Sequence, residues 1–71
     1  MNEYVTPRRF FITVSKENEI KRFTIRISPK TLDRITCDEI KPDFGIEIVD
    51  CFTLKEVAFK PVGENKLTWN I

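Results

Sequence analysis

The chain has 71 residues with a formal net charge of +1, six phenylalanines, one tryptophan and no histidine. That length holds one small domain, and abundant charge with scarce glycine gives no signature of disorder. The near-zero charge argues against a general nucleic-acid coat protein, and the missing histidine removes the commonest general acid–base group and metal ligand.

Charge is unevenly placed. Residues 1–30 carry seven Lys and Arg against three Asp and Glu, whereas residues 31–71 carry five against eight. Such asymmetry suits either a basic face with an acidic flank or internal pairing between the halves. Apolar runs are only a few residues long, and no secretory leader is visible, so the expectation is a soluble, cytoplasmic protein with no membrane partner.

Residues 1–7 read as an N-terminal arm, with Tyr4 and Val5 available to lie against a sheet edge and Pro7 as a break. Residues 8–71 read as a single compact domain. Its organising element is a hairpin. Phe10, Ile12 and Val14 alternate with polar neighbours over residues 9–15, and Phe23, Ile25 and Ile27 do so over residues 20–27, which is the period of half-buried strands. A four-residue turn at residues 16–19 sets Ser15 opposite Ile20 and Ile12 opposite Phe23. A slip of one residue would turn one strand's apolar set outward.

In this register Arg9 stands opposite Arg26 on the outer face, with Phe11 and Arg22 beside them. Like charges directly opposite are destabilising by up to about 1 kcal/mol, so a negative group is expected nearby. Glu47 on a neighbouring strand is the internal candidate. A phosphate backbone, with Phe11 as a stacking platform and Arg8 and Lys21 as further contacts, is the external one.

Ser28 and Pro29 then open a helix: serine is a strong N-cap and proline suits the first helical position. Leu32 and Ile35 share a face, and two turns ending near Thr36 or Cys37 are expected. Residues 21–35 (KRFTIRISPKTLDRI) resemble the opening of a ribbon-helix-helix repressor, in which a basic strand precedes a capped helix. The resemblance implies an obligate dimer whose paired strands read DNA through outward residues, here Arg22, Thr24 and Arg26. It ends at residues 41–45 (KPDFG), which break the chain where that family has a second long helix.

Residues 38–45 read as an acidic connector with a turn. Asp38, Glu39, Asp43, Glu47 and Asp50 have no EF-hand spacing and read as solvated surface. Residues 45–52 form a third strand that blurs at 50–52, where a bulge or strand end is expected. Residues 56–60 form a fourth strand with Val57 and Phe59 inward, and residues 66–71 a fifth with Leu67, Trp69 and Ile71 on one face. Cys37 and Cys51 read as buried free thiols.

The fold class is therefore α+β in the order β-β-α-β-β-β. An antiparallel sheet, with the option of curling toward a small, partly closed barrel, packs on one short helix. The expected core is Phe10, Ile12, Phe23, Ile25, Leu32, Ile35, Ile48, Val57, Phe59, Leu67 and Trp69. No catalytic set, phosphate loop or cofactor motif is present, so the expectation is not an enzyme, with no metal and no cofactor. The functional expectation is a protein-interaction module, such as an accessory subunit, adaptor or inhibitor, acting through a sheet edge or exposed sheet face on another protein or a second copy of itself. The alternative is nucleic-acid binding by the outer face of the hairpin through Arg8, Arg9, Phe11, Lys21, Arg22 and Arg26.

Overall fold

A computed structural model describes residues 4–39 and 42–70. Its elements follow the expected order: β1 (Arg8–Lys16), β2 (Glu19–Ile27), α1 (Pro29–Glu39), β3 (Gly45–Asp50), β4 (Glu56–Lys60) and β5 (Thr68–Trp69). The sheet order is β2-β1-β3-β4-β5, with every pair antiparallel. Because β1 is antiparallel to both neighbours, β2 and β3 run parallel on either side of it. Helix α1 is the crossover between them, as parallel strands require. The sheet is open and the barrel is not closed: β2 and β5 are its edges.

The hairpin has the expected register, with Phe10 opposite Ile25, Ile12 opposite Phe23 and Ser15 opposite Ile20. Pairing continues to Lys16 and Glu19, whose opposite charges face each other, so the turn tightens to two residues. Such turns demand a positive φ, and Glu17 adopts 30°. The ribbon of the repressor family is not reproduced here. β2 pairs with β1 of the same chain, and a strand, β3, follows where a second helix would stand.

Helix α1 begins as its sequence dictates. The Ser28 Oγ accepts from the Thr31 amide at 3.3 Å, and Pro29 is buried at the first helical position. The Lys30 amide, an orphan donor of the first turn, donates to the Tyr4 carbonyl at 2.8 Å. The N-terminal arm thus lies on the helix start rather than on a sheet edge. The helix runs to Glu39, two or three residues further than expected.

The core forms where the even residues of β1 and β3 meet the helix: Phe10, Ile12, Ile46, Ile48, Val57, Ala58, Leu32 and Leu67 are buried, and Val14, Ile25, Ile27 and Trp69 pack against them. Phe10 meets the Trp69 ring edge-on at 6.2 Å, and the Trp69 Nε1 donates to Asp33 Oδ1 at 3.1 Å, tying β5 to α1. Three expected core residues lie elsewhere: Ile35 is only partly buried and is not part of this cluster, and Phe59 and Phe23 are exposed. Ile48 pairs with Ala58 but Val49 pairs with Glu56, so Val57 is the extra residue of a bulge. Beyond it Ala58 and Lys60 face inward, and Phe59 faces outward, 44% exposed. Phe23 is on the helix side of the sheet yet 48% exposed, because it sits on the edge strand.

Candidate functional site: the uncovered sheet face

Helix α1 covers one side of the sheet; among the described residues no element covers the other. The register places on it, from β2 to β5, Arg22, Thr13, Glu47, Phe59 and Thr68 in one row. The next row holds Thr24, Phe11 and Val49, and beyond it Arg26 and Arg9 stand opposite each other. Phe11 is 45% exposed and Ile20 64% exposed. Arg9, Phe11, Arg22 and Arg26 are thus brought together as expected.

Arg8 and Lys21 are not with them. Their strand positions put both on the helix side of the sheet. Arg8 is committed to Asp50, Nη2 to Oδ2 at 2.6 Å. Asp50 is a correction to its reading as solvated surface: it is buried, and its Oδ1 also accepts from the Phe52 amide at 2.7 Å and the Thr53 amide at 3.3 Å. Arg8 comes from the opposite end of the chain, which is why sequence proximity could not reveal the pair. Asp43, by contrast, is exposed and pairs with Lys16 at 3.5 Å; that lysine also sits 5.1 Å above the Phe44 ring. The side chains of Asp38 and Glu39 lie outside the described residues, as does Ile71.

Glu47 does not neutralise the arginines. It is exposed, lies opposite Thr13 on one side and Phe59 on the other, and forms no ion pair with a described residue. Arg9, Arg22 and Arg26 likewise lack a described carboxylate within 4.0 Å. The face therefore presents uncompensated charge of both signs among apolar groups.

A groove crosses one end of this face. Ser15 and Gly45 form its floor, Ile20 and Arg22 one wall, Phe59 and Val62 the other. Gly45 keeps the floor low: a Cβ there would meet Ser15 Oγ at 2.9 Å. Phe59 and Val62 were invisible to sequence reasoning, the first because the bulge reversed its side. Ile20 was legible, since the register alone puts it outward.

A second exposed apolar feature lies at the β3–β4 turn, where Phe52 and Leu54 are 90% and 71% exposed on a loop held by Asp50. Leu54 adopts φ +60°, a left-handed conformation that a bulky residue rarely takes. Cys37 and Cys51 are free and only partly buried. Among the described residues no group of three or more His, Cys, Asp or Glu lies together, and no helix is long and apolar enough to cross a membrane. The chain matches no family model, no curated protein and no solved structure.

Proposed function

We propose that this chain is a small non-enzymatic binding module, an accessory subunit, adaptor or inhibitor, that engages another protein through the uncovered face of its sheet. The observation that carries the reading is the groove between Ile20 and Phe59, two large apolar side chains exposed on a face that no described element covers. Exposed apolar groups rimmed by charge are the usual composition of an interaction surface. Glu47, at the centre of the face, suits a partner of mixed charge better than a polyanion.

Photo-crosslinking from position 59 tests this, with position 66, an exposed loop site, as control. Support is a discrete protein adduct from position 59 that is absent from position 66 and lost when Ile20→Asp is added. Matching adduct patterns from both positions, or an adduct indifferent to Ile20→Asp, would set the reading aside.

One corner of the face favours a second reading. Arg9 and Arg26 stand opposite each other beside the exposed Phe11 ring, with no described carboxylate in reach. Phosphate would relieve that repulsion and Phe11 would stack on a base. Fluorescence anisotropy with single- and double-stranded oligonucleotides decides it: binding that weakens steeply with salt and disappears in Arg22→Ala/Arg26→Ala supports nucleic acid, and no binding at low salt excludes it.

A further inference from the structure

The sheet has one short edge, β5, and one long one. β2 spans nine residues in unbroken register with β1 on one side and no described strand on the other. Its inner pairing also fixes which of its backbone groups are free. Lys16 and Glu19 close the two-residue turn, and in an antiparallel ladder hydrogen-bonded and non-bonded pairs alternate. The odd-numbered residues of β2 therefore bond to β1. Ile20, Arg22, Thr24 and Arg26 turn their N–H and C=O groups outward, a ready template for another strand.

We propose that the occupant of this edge is a second copy of the chain, its β2 paired antiparallel in the register that centres on Phe23. The inference rests on the reading of the protein as a binding module and supplies one partner for it. The register follows from charge. Centring the two-fold axis on Arg22 sets Arg22 against Arg22 of the partner subunit, and centring it on Thr24 sets Arg22 against Arg26 of the partner subunit twice. Centring on Phe23 avoids both: Arg22 meets the partner's Thr24, Arg26 meets the partner's Ile20, and Lys21 meets the partner's Ile25. Phe23 is also the midpoint of β2, so this register alone overlaps the strands over their full length.

The same register accounts for Phe23 itself. It is a large apolar side chain half exposed on the side of the sheet that the helix otherwise covers. At the axis it forms a non-hydrogen-bonded pair with the partner's Phe23, the closest type of cross-strand contact. The row Ile12–Phe23 then continues into its own copy, and the two apolar layers join. The axis stands perpendicular to the sheet, so both helices lie on one side and both uncovered faces on the other. The hairpin of each chain stays intact, and the dimer is a continuous sheet rather than a separate ribbon.

Thr24 provides the test, because it is exposed and its amide is unused by β1. Sedimentation velocity over a concentration series is expected to show a monomer–dimer equilibrium. Thr24→Arg places arginine against the partner's Arg22 twice and weakens dimerisation about tenfold. Thr24→Glu places a carboxylate there and strengthens it about tenfold. Phe23→Cys, in a background of Cys37→Ser and Cys51→Ser, forms an intermolecular disulfide on mild oxidation, and Arg22→Cys in that background does not. A chain that stays monomeric throughout overturns the proposal, as do Thr24→Arg and Thr24→Glu acting in the same direction. A monomer that still gives the discrete adduct from position 59 removes the dimer alone; loss of both removes the binding reading with it.

Discussion

Tyr4 and Trp69 reach the same carboxylate: the phenol donates to Asp33 Oδ2 at 3.4 Å and the indole to Oδ1 at 3.1 Å. The beginning and end of the described chain are thereby pinned to one side chain on the first turns of α1. Loss of solvent around the phenol and the neighbouring negative charge of Asp33 both raise the Tyr4 pKa above its ordinary value.

Tyr4 is the only tyrosine, so tyrosinate absorbance near 295 nm reports on it alone. Its midpoint is expected above that of free tyrosine, and Asp33→Asn lowers it while leaving an oxygen for Trp69. The sign follows from linkage. A group whose pKa is raised by folding contributes its stability fully below the unfolded value and loses it as pH rises through the folded one. The arm should therefore hold at neutral pH and detach from the helix only in alkali. An unchanged midpoint in Asp33→Asn would contradict this.

Asp50 carries the charge most sensitive to removal. Asp50→Ala leaves the partly exposed Arg8 without its partner and frees the Phe52 and Thr53 amides, and losing these bonds costs about 1–3 kcal/mol. Asp50→Asn keeps an acceptor for the amides and should cost less. Urea unfolding of both variants measures the difference.

Lys60 is fully buried, and its ammonium donates to the Phe44 and Pro61 carbonyls with no described carboxylate within 4.0 Å. Lys60→Met keeps the volume and removes both the buried ammonium and its two hydrogen bonds. The two effects oppose each other, and the expected change in stability is within about 1 kcal/mol of zero. Lys60→Ala leaves a cavity and should be less stable than Lys60→Met by about 2 kcal/mol.

Leu54 sits at φ +60° with its side chain in solvent. Leu54→Gly removes the left-handed strain, about 1 kcal/mol, without losing burial, so the melting temperature should rise. Phe52→Ala, at a still more exposed position, should change stability by less than about 0.5 kcal/mol, whereas Phe10→Ala in the core should cost about 3–5 kcal/mol. Any loss of binding in Phe52→Ala or Leu54→Gly would then belong to the interface rather than to folding.

The hairpin was legible because its register is a matter of parity, and parity is written in the alternation of Phe10, Ile12, Phe23 and Ile25. The helix start was legible because Ser28 and Pro29 act locally. Phe59 was not, since a single extra residue at Val57 reverses every side chain beyond it, and nothing in the sequence EVAFK marks the bulge. Asp50 was not, since its partner Arg8 is brought near only by the β1–β3 pairing. Phe23 has the pattern of a core residue, and its exposure depends on its place in the sheet order, which parity does not encode. Of the candidate site, the placement of Arg9, Phe11, Arg22 and Arg26 followed from the hairpin alone; the groove required knowing that Phe59 and Val62 close its far wall.

The central position of β1 has a consequence for the order in which the chain acquires its shape. Its pairing with β2 closes across two residues, a microsecond event available as soon as residue 27 has left the ribosome. Its pairing with β3 must wait for residues 45–50 and for the whole crossover to be made. During that interval β1 offers an unsatisfied backbone edge lined by Phe10 and Ile12, the same kind of surface that β2 presents in the single chain. Substitutions that slow the closing of β3, such as Ile48→Thr, are therefore expected to lower the yield of folded chain through mispairing during synthesis, beyond what their equilibrium stability alone would cause.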